Sequence, residues 1–290
     1  MNKIIYRDGT PCNSNDQQDR LIQALYQTLP GRIFLKLLTQ PALSHFAGCM
    51  LNTKASRCLI KPFIRNNQID MSQYEKVHYK SYNEFFSRKI RPECRPVDPD
   101  PAHMIAPCDS KLTIVPIDTK SRFTLKHTPY TLASLLQNKA LADQYMGGYA
   151  LIFRLAVEDY HRYCYVCDGK KGKNIRIPGV LHTVNPIAND HFPIYKENSR
   201  QYSILRSKTW GDILMMEVGA LLVGKIVNYH ERALVHRGQE KGYFQFGGST
   251  VVLLFQPNTL IPDADLLENS RLGLETVVHF GEKIGTSRLL

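Results

Sequence analysis

The hydrophobic pattern of this 290-residue chain changes character near residue 100, and that change restricts its fold more than any other feature. From Asp19 to about Leu59 the apolar residues Leu21, Ile22, Leu25, Leu29, Ile33, Phe34, Leu37 and Leu38 recur at threes and fours, interrupted by Pro30-Gly31, which predicts two amphipathic helices. Ser81 and Glu84 form a capping box ahead of Phe85 and Phe86, so a further helix is expected there, ending before Pro92. The proline-rich run at 91–107 cannot continue it and reads as an extended linker. Beyond it come strand-like apolar runs at 149–157, 174–181, 212–227 and 250–255, punctuated by Gly, Asn and Asp. One helix is expected among them, from Thr131 to about Tyr145, ended by Gly147-Gly148. Helices followed by strands, instead of alternating with them, predict an α+β fold with N-terminal amphipathic helices and then a mainly antiparallel β domain. The boundary divides the chain into a helical region with its linker at 1–100 and a β-rich unit at 101–290.

Charge narrows the partners. Lys and Arg number 37 against 26 Asp and Glu, a formal net charge of +11, so part of the surface attracts anions such as nucleic acid, anionic lipid or phosphorylated substrates. A recognition-helix signature, an RNA-binding sheet motif and a dense Lys/Arg run are all missing, which disfavours nucleic acid. The N-terminal helices carry Arg20, Arg32 and Lys36, and their apolar sides suit either packing against the rest of the protein or a lipid interface. No run approaches the ~20 apolar residues of a membrane span, and the N-terminus lacks the apolar core of a signal peptide, so the chain is expected neither to cross a bilayer nor to be exported. Seven cysteines, an odd number, read as reduced thiols in a cytosolic setting. Cys164 and Cys167 form a lone C-x-x-C without the second ligand pair that zinc requires, so no metal is expected.

Chemistry-bearing residues gather at three places. Gly247-Gly248-Ser249-Thr250 runs directly into the apolar strand VVLLF. The bland reading is a tight turn with a locally bonded serine; the sharper one is a Gly248–Ser249 peptide whose carbonyl, unshielded by a Cβ, lies open to the Ser249 hydroxyl. A base is then needed. Asp159-Tyr160-His161-Arg162 follows an apolar strand, and Pro107-Cys108-Asp109-Ser110 follows the linker. Each alone suits an ordinary structural histidine or turn; together with Ser249 they supply an acid, an imidazole and a hydroxyl, the parts of an activated serine.

In this combination the chain resembles the phosphatidylserine decarboxylase proenzymes, pyruvoyl-dependent enzymes, from about Tyr74 to Gly285. The resemblance rests on motifs in order: Phe85-Phe86-Ser87-Arg88 with Arg91-Pro92 and Arg95-Pro96; Pro107 to Ser110; Asp159 to Arg162; Val184-Asn185-Pro186; Glu217-Val218-Gly219-Ala220 with Val223-Gly224; and Gly242 through Thr250. The double glycine and the tail Gly281-Glu282-Lys283-Ile284-Gly285 are similar to the bacterial subgroup related to clostridial enzymes. What the resemblance implies is self-cleavage between Gly248 and Ser249, with Ser249 becoming a pyruvoyl group that caps residues 249–290 while the two chains stay packed together. It implies decarboxylation of phosphatidylserine to phosphatidylethanolamine at the cytoplasmic face of the cell membrane by a peripheral protein bound to anionic lipid, and a homodimer is compatible with it. Asp109 matches the family's charge-relay carboxylate and His161 the first histidine of its Tyr-His-x-x-His motif, linked to decarboxylation.

The second histidine of that motif, the base of the self-cleaving triad, is Cys164 here. A thiol of ordinary pKa, about 8.5, is a poor substitute. His161 serving both steps, or His182 approaching from Leu181-His182-Thr183, ranks above Cys164 as that base. An unprocessed, non-catalytic lipid-binding relative and a basic nucleic-acid-binding protein are the alternatives.

Overall fold

The computed structural model describes residues 4–12, 46, 48–120, 122–125, 128–180, 197–219, 225–245 and 249–289. The helix pair expected over 19–59 lies almost wholly outside them. Residues 48–50 are helical, Lys54–Leu59 forms a 3-10 turn, and α1 (Ile60–Asn66) follows with Pro62 in its first turn, where a missing N–H breaks no helical bond. The expected capping box starts α2 (Tyr82–Phe86): Ser81 Oγ accepts the Glu84 N–H at 3.2 Å, while the Glu84 carboxylate turns back to the Lys80 N–H, one residue earlier than the motif predicts. Tyr82, Phe85 and Phe86 are buried, and Phe63 of α1 meets the Tyr82 ring edge-on at 5.4 Å.

The linker is extended as expected, apart from a 3-10 turn at Pro92–Cys94, and ends in a short strand, His103–Ile105. In place of one helix over 131–145 there are two, α3 (Leu132–Leu136) and α4 (Lys139–Asp143). Gln137 takes the left-handed conformation (φ +49°) and Asn138 caps α4 by accepting the Leu141 N–H at 3.1 Å, so a polar Gln-Asn pair inside an apolar pattern breaks the helix.

The strands that build the site are β1 (Ser110–Pro116), β2 (Tyr149–Leu155), β3 (Arg162–Cys164), β4 (Arg200–Ser207), β5 (Gly211–Val218), β6 (Ile226–Asn228), β7 (Glu240–Phe244), β8 (Ser249–Phe255) and β9 (Glu275–Val278). The run expected over 212–227 is therefore two strands, β5 and β6, and that over 174–181 shrinks to Ile175–Ile177, where Pro178 removes the next ladder donor. The main sheet has eleven strands among the described residues, with the central order β4-β5-β8-β2-β1-β9; every pairing is antiparallel except that of β9 with Ile4–Ile5. All seven residues of β8 are buried, as an unbroken apolar run demands when both sheet faces are covered. A smaller antiparallel sheet, β6-β7-β3, packs over one face through Asn228 and Lys241, which reach Glu217 on β5. The outcome is the mainly antiparallel α+β architecture expected.

Arg7, in the turn after Ile4–Ile5, donates to both Asp265 oxygens at 2.7 and 2.9 Å, to Asp263 at 2.9 Å, to Glu282 at 3.2 Å and to the Lys283 carbonyl at 2.6 Å. Arg7→Ala leaves three carboxylates facing one another, and charge-assisted bonds of this kind contribute about 1.5–3 kcal/mol. The variant is expected to melt on the order of 5 °C lower; an unchanged midpoint in thermal denaturation would show the cluster to be energetically idle.

Candidate active site

Ser249 is the first residue of β8, wholly buried, with an Oγ that has no hydrogen-bond partner among the described residues. Its strand is clamped on both sides: Ser249 pairs with Leu155 of β2, Thr250 with Val218 of β5, and Val251 with Phe153 and Glu217. A buried hydroxyl without a partner forfeits hydrogen-bond energy, so its retention in a packed sheet points to a chemical use. Gly248, on the other side of the expected cleavage point, lies outside the described residues, as does His182.

His161 stands immediately before β3 and is also wholly buried. Its Nδ1 lies 2.8 Å from the Asp159 carbonyl oxygen, which can only accept, so Nδ1 carries the proton and Nε2 presents a free lone pair. Nε2 has no partner. Burial, reinforced by the nearby Arg88 guanidinium, pushes the imidazole down to about 3, which keeps it neutral at physiological pH. The Phe86 ring lies 4.1 Å away centre to centre, and the His161 carbonyl accepts the Phe244 N–H at 2.9 Å, linking the histidine to the strand that leads toward Ser249. The turn before it is fixed by Asp159, whose carboxylate accepts from Lys111 at 2.7 and 2.8 Å and from the Ala156 N–H at 2.6 Å. Burial alone would loosen the Lys111 proton, but the Asp159 and Glu158 carboxylates outweigh it and hold the ammonium charged.

Asp109 faces elsewhere. Arg95 donates to its oxygens at 2.9 and 2.7 Å, the Phe280 N–H donates at 2.8 Å, and the His279 imidazole stands 3.8 Å away. Burial would raise this carboxyl, yet His279 and Arg95 together hold it at about 2. It lines a 240 Å³ cleft with Gln73, Arg95, Asp159, Tyr160 and His279. No hydrogen bond joins Asp109, His161 and Ser249 among the described residues. Cys164 is buried, its N–H bonded to the Pro107 carbonyl at 2.9 Å, and burial pushes its thiol far above the usual range, the wrong protonation state for a base. Cys167 is buried on the far side of Tyr165 and Val166 and interacts with Ser207.

Two groups escaped the sequence reading. His279 and Asp109 are 170 positions apart, and no local pattern connects them. Glu217 and Lys241 form a wholly buried ion pair at 2.7 Å beneath the site; Asn228 donates to the other Glu217 oxygen at 2.9 Å and accepts from Lys241 at 2.8 Å. The adjacent Gly242 allows the small sheet to close there, since a Cβ would sit 1.9 Å from the Val227 carbonyl oxygen. Glu217 stands inside a quoted motif and Lys241 directly before one, but only the packing of the small sheet over the main sheet makes them a pair.

Comparison with known proteins identifies the family. The family model for phosphatidylserine decarboxylase matches residues 82–286, from the first residue of α2 to near the end of the chain. The phosphatidylserine decarboxylase proenzyme 2 of Clostridium acetobutylicum is 45% identical over 265 residues, covering 91% of each chain. The phosphatidylserine decarboxylase proenzyme of Clostridium novyi is 38% identical over 274 residues, covering 92% of this chain and 93% of its own, and that of Ruminiclostridium cellulolyticum is 40% identical over 272 residues, covering 92% and 91%. These matches make the chain an enzyme of the carboxy-lyase class. It belongs to the phosphatidylserine decarboxylase family.

Proposed function

We propose that the chain is a zymogen that severs its own Gly248–Ser249 bond and then decarboxylates phosphatidylserine to phosphatidylethanolamine and CO2. The observation that carries this reading is the unpartnered, buried Ser249 hydroxyl at the head of the central strand, directly after two glycines, in a family whose relatives are named as proenzymes. Ser249 Oγ adds to the Gly248 carbonyl carbon, the C–N bond to Ser249 breaks, and the hydroxyl proton ends on the freed nitrogen, leaving an ester. Loss of the Ser249 Cα proton then breaks the Cβ–Oγ bond and releases the Gly248 carboxylate; water displaces ammonia from what remains, and residue 249 becomes a pyruvoyl group. That group supplies a ketone which, joined to the substrate amine, takes up the electrons of the departing carboxylate. The residues present fit it, because β2 and β5 grip β8 from both sides and would hold residue 249 in place after the cut.

The His161 imidazole, neutral and with a buried Nε2 lone pair not engaged by any described residue, is suited to hold or move a proton at the substrate carbon. Asp109 ties the turn at His279–Phe280 to Arg95, and Arg154 holds Glu275 through two buried bonds at 3.0 and 2.6 Å, so the segment 249–290 would stay bound after cleavage. Residues 1–100 form the membrane-apposed region in this reading and 101–290 the catalytic unit. Residues 20–69 contain no Asp or Glu, and their described part exposes Phe46, Met50 and Leu59 beside Lys54, Arg57, Lys61 and Arg65, a combination suited to anionic lipid. No helix among the described residues is long and apolar enough to cross a membrane.

The test is the intact mass of the purified protein under denaturing conditions. Two species, residues 1–248 and a blocked 249–290, are expected. A single full-length polypeptide would favour the non-catalytic lipid-binding relative, the reading that Cys164 and its protonated thiol support.

A further inference from the structure

The catalytic reading leaves one buried charge cluster unused. Glu217 and Lys241 are both wholly inaccessible, and a buried ion pair contributes little to stability compared with well-packed apolar residues of the same size. Their placement is specific. Glu217 pairs with Val251, so it lies on the same sheet face as Ser249, one pleat repeat along the neighbouring strand; diagonal neighbours of this kind stand about 7–8 Å apart, within reach of a long side chain. Lys241 occupies a β-bulge. The pairing of β7 with β3 jumps from Glu240–Cys164 to Gly242–Tyr163, leaving Lys241 without a register partner on β3 and turned inward, its ammonium 5.6 Å from the centre of the Tyr163 ring. Bulges next to active sites commonly serve to re-aim a side chain. The Glu217 oxygens accept one bond each, from Lys241 and Asn228, which leaves acceptor capacity on a face where the Ser249 hydroxyl lacks an acceptor.

We propose that the Glu217–Lys241 couple handles the Ser249 hydroxyl proton during self-cleavage, in the role that the family motif gives to a histidine at the position of Cys164. This rests on the self-cleavage reading above. As Oγ bonds to the Gly248 carbonyl carbon, its proton passes to the Glu217 carboxylate; as the C–N bond breaks, the same proton is delivered to the Ser249 nitrogen, so nothing is oxidised and no co-reactant is consumed. Lys241 is the positioning residue: it holds Glu217 in place through a buried bond at 2.7 Å. Burial outweighs the pull of Glu217 and weakens the grip of Lys241 on its own proton.

The experiment follows cleavage of the full chain in time after cell-free synthesis, by intact mass, with the melting temperature measured alongside. Glu217→Gln keeps the shape and removes the acceptor charge, and is expected to slow cleavage at least tenfold. The double variant Glu217→Leu/Lys241→Met removes the buried charges together and is expected to melt no lower than the parent yet to lose cleavage. Adding Cys164→His to that double variant is expected to restore cleavage to within a few-fold of the parent. A double variant that melts normally and cleaves at the parental rate overturns the proposal, as does failure of Cys164→His to rescue it. If the double variant does not fold, Glu217→Gln decides, and a parental rate there is equally fatal. Fragments that persist in Ser249→Ala strike instead at the self-cleavage reading itself.

Discussion

Ser249→Ala is expected to yield one uncut chain of 290 residues with no decarboxylase activity, the largest effect of any single substitution in this protein. The loss would not come from misfolding. Ser249 Oγ is buried without a partner, and an unsatisfied buried hydroxyl costs about 1–3 kcal/mol, so its removal is expected to leave the melting temperature equal or higher. The β8 pairings run through backbone atoms and are indifferent to the change. A variant that is well folded, full length and inactive therefore isolates the hydroxyl as the nucleophile. The measurement is intact mass with a headgroup-release assay on the same sample. If the two fragments still appear, the cut bond lies elsewhere and the assignment of residue 249 fails.

What the sequence disclosed and what it hid follow from the range of the interactions. The β8 strand was legible because its apolar run leaves no polar face, which only a doubly covered central strand can accommodate. The α2 start was legible because Ser81 and Glu84 act within one turn. The split between α3 and α4 was missed because the helical spacing of the leucines outweighed the weak signal of Gln137-Asn138. The Asp109–His279 contact and the tie of Arg7 to Asp263, Asp265 and Glu282 join distant segments whose proximity depends on sheet order, and the Asp109–Arg95 bond depends on how the linker folds back. The Lys241 bulge is more telling still: a strand pattern has period two, and one inserted residue changes the face of every side chain beyond it without any mark in composition. Site residues were thus readable as types in motifs, but their pairing into Glu217–Lys241 or Asp109–Arg95 was not.

His161→Gln separates catalysis from protein stability, because the same burial that frees its lone pair imposes a pH-dependent penalty. In the processed enzyme, loss of a positioned acid–base group typically costs a factor of about 10²–10⁴, and that fall in turnover is expected here. With its own value at about 3, His161 stays neutral across the physiological range, so any acidic limb of the activity profile between pH 5 and 7 must come from another group. Stability behaves differently. The unfolded chain binds a proton at this imidazole below about pH 6.5 while the folded chain does not, so the parent loses stability as the pH falls from there toward about 3. Each pH unit in that window corresponds to about 1.4 kcal/mol, which amounts to about 2 kcal/mol at pH 5. Glutamine does not titrate, so on going from pH 7 to pH 5 the variant is expected to gain about that much relative to the parent in paired denaturant titrations. A gap that stays constant with pH would mean that His161 takes up a proton in the folded state after all, and the neutral, lone-pair-bearing imidazole assigned to the site would have to be abandoned.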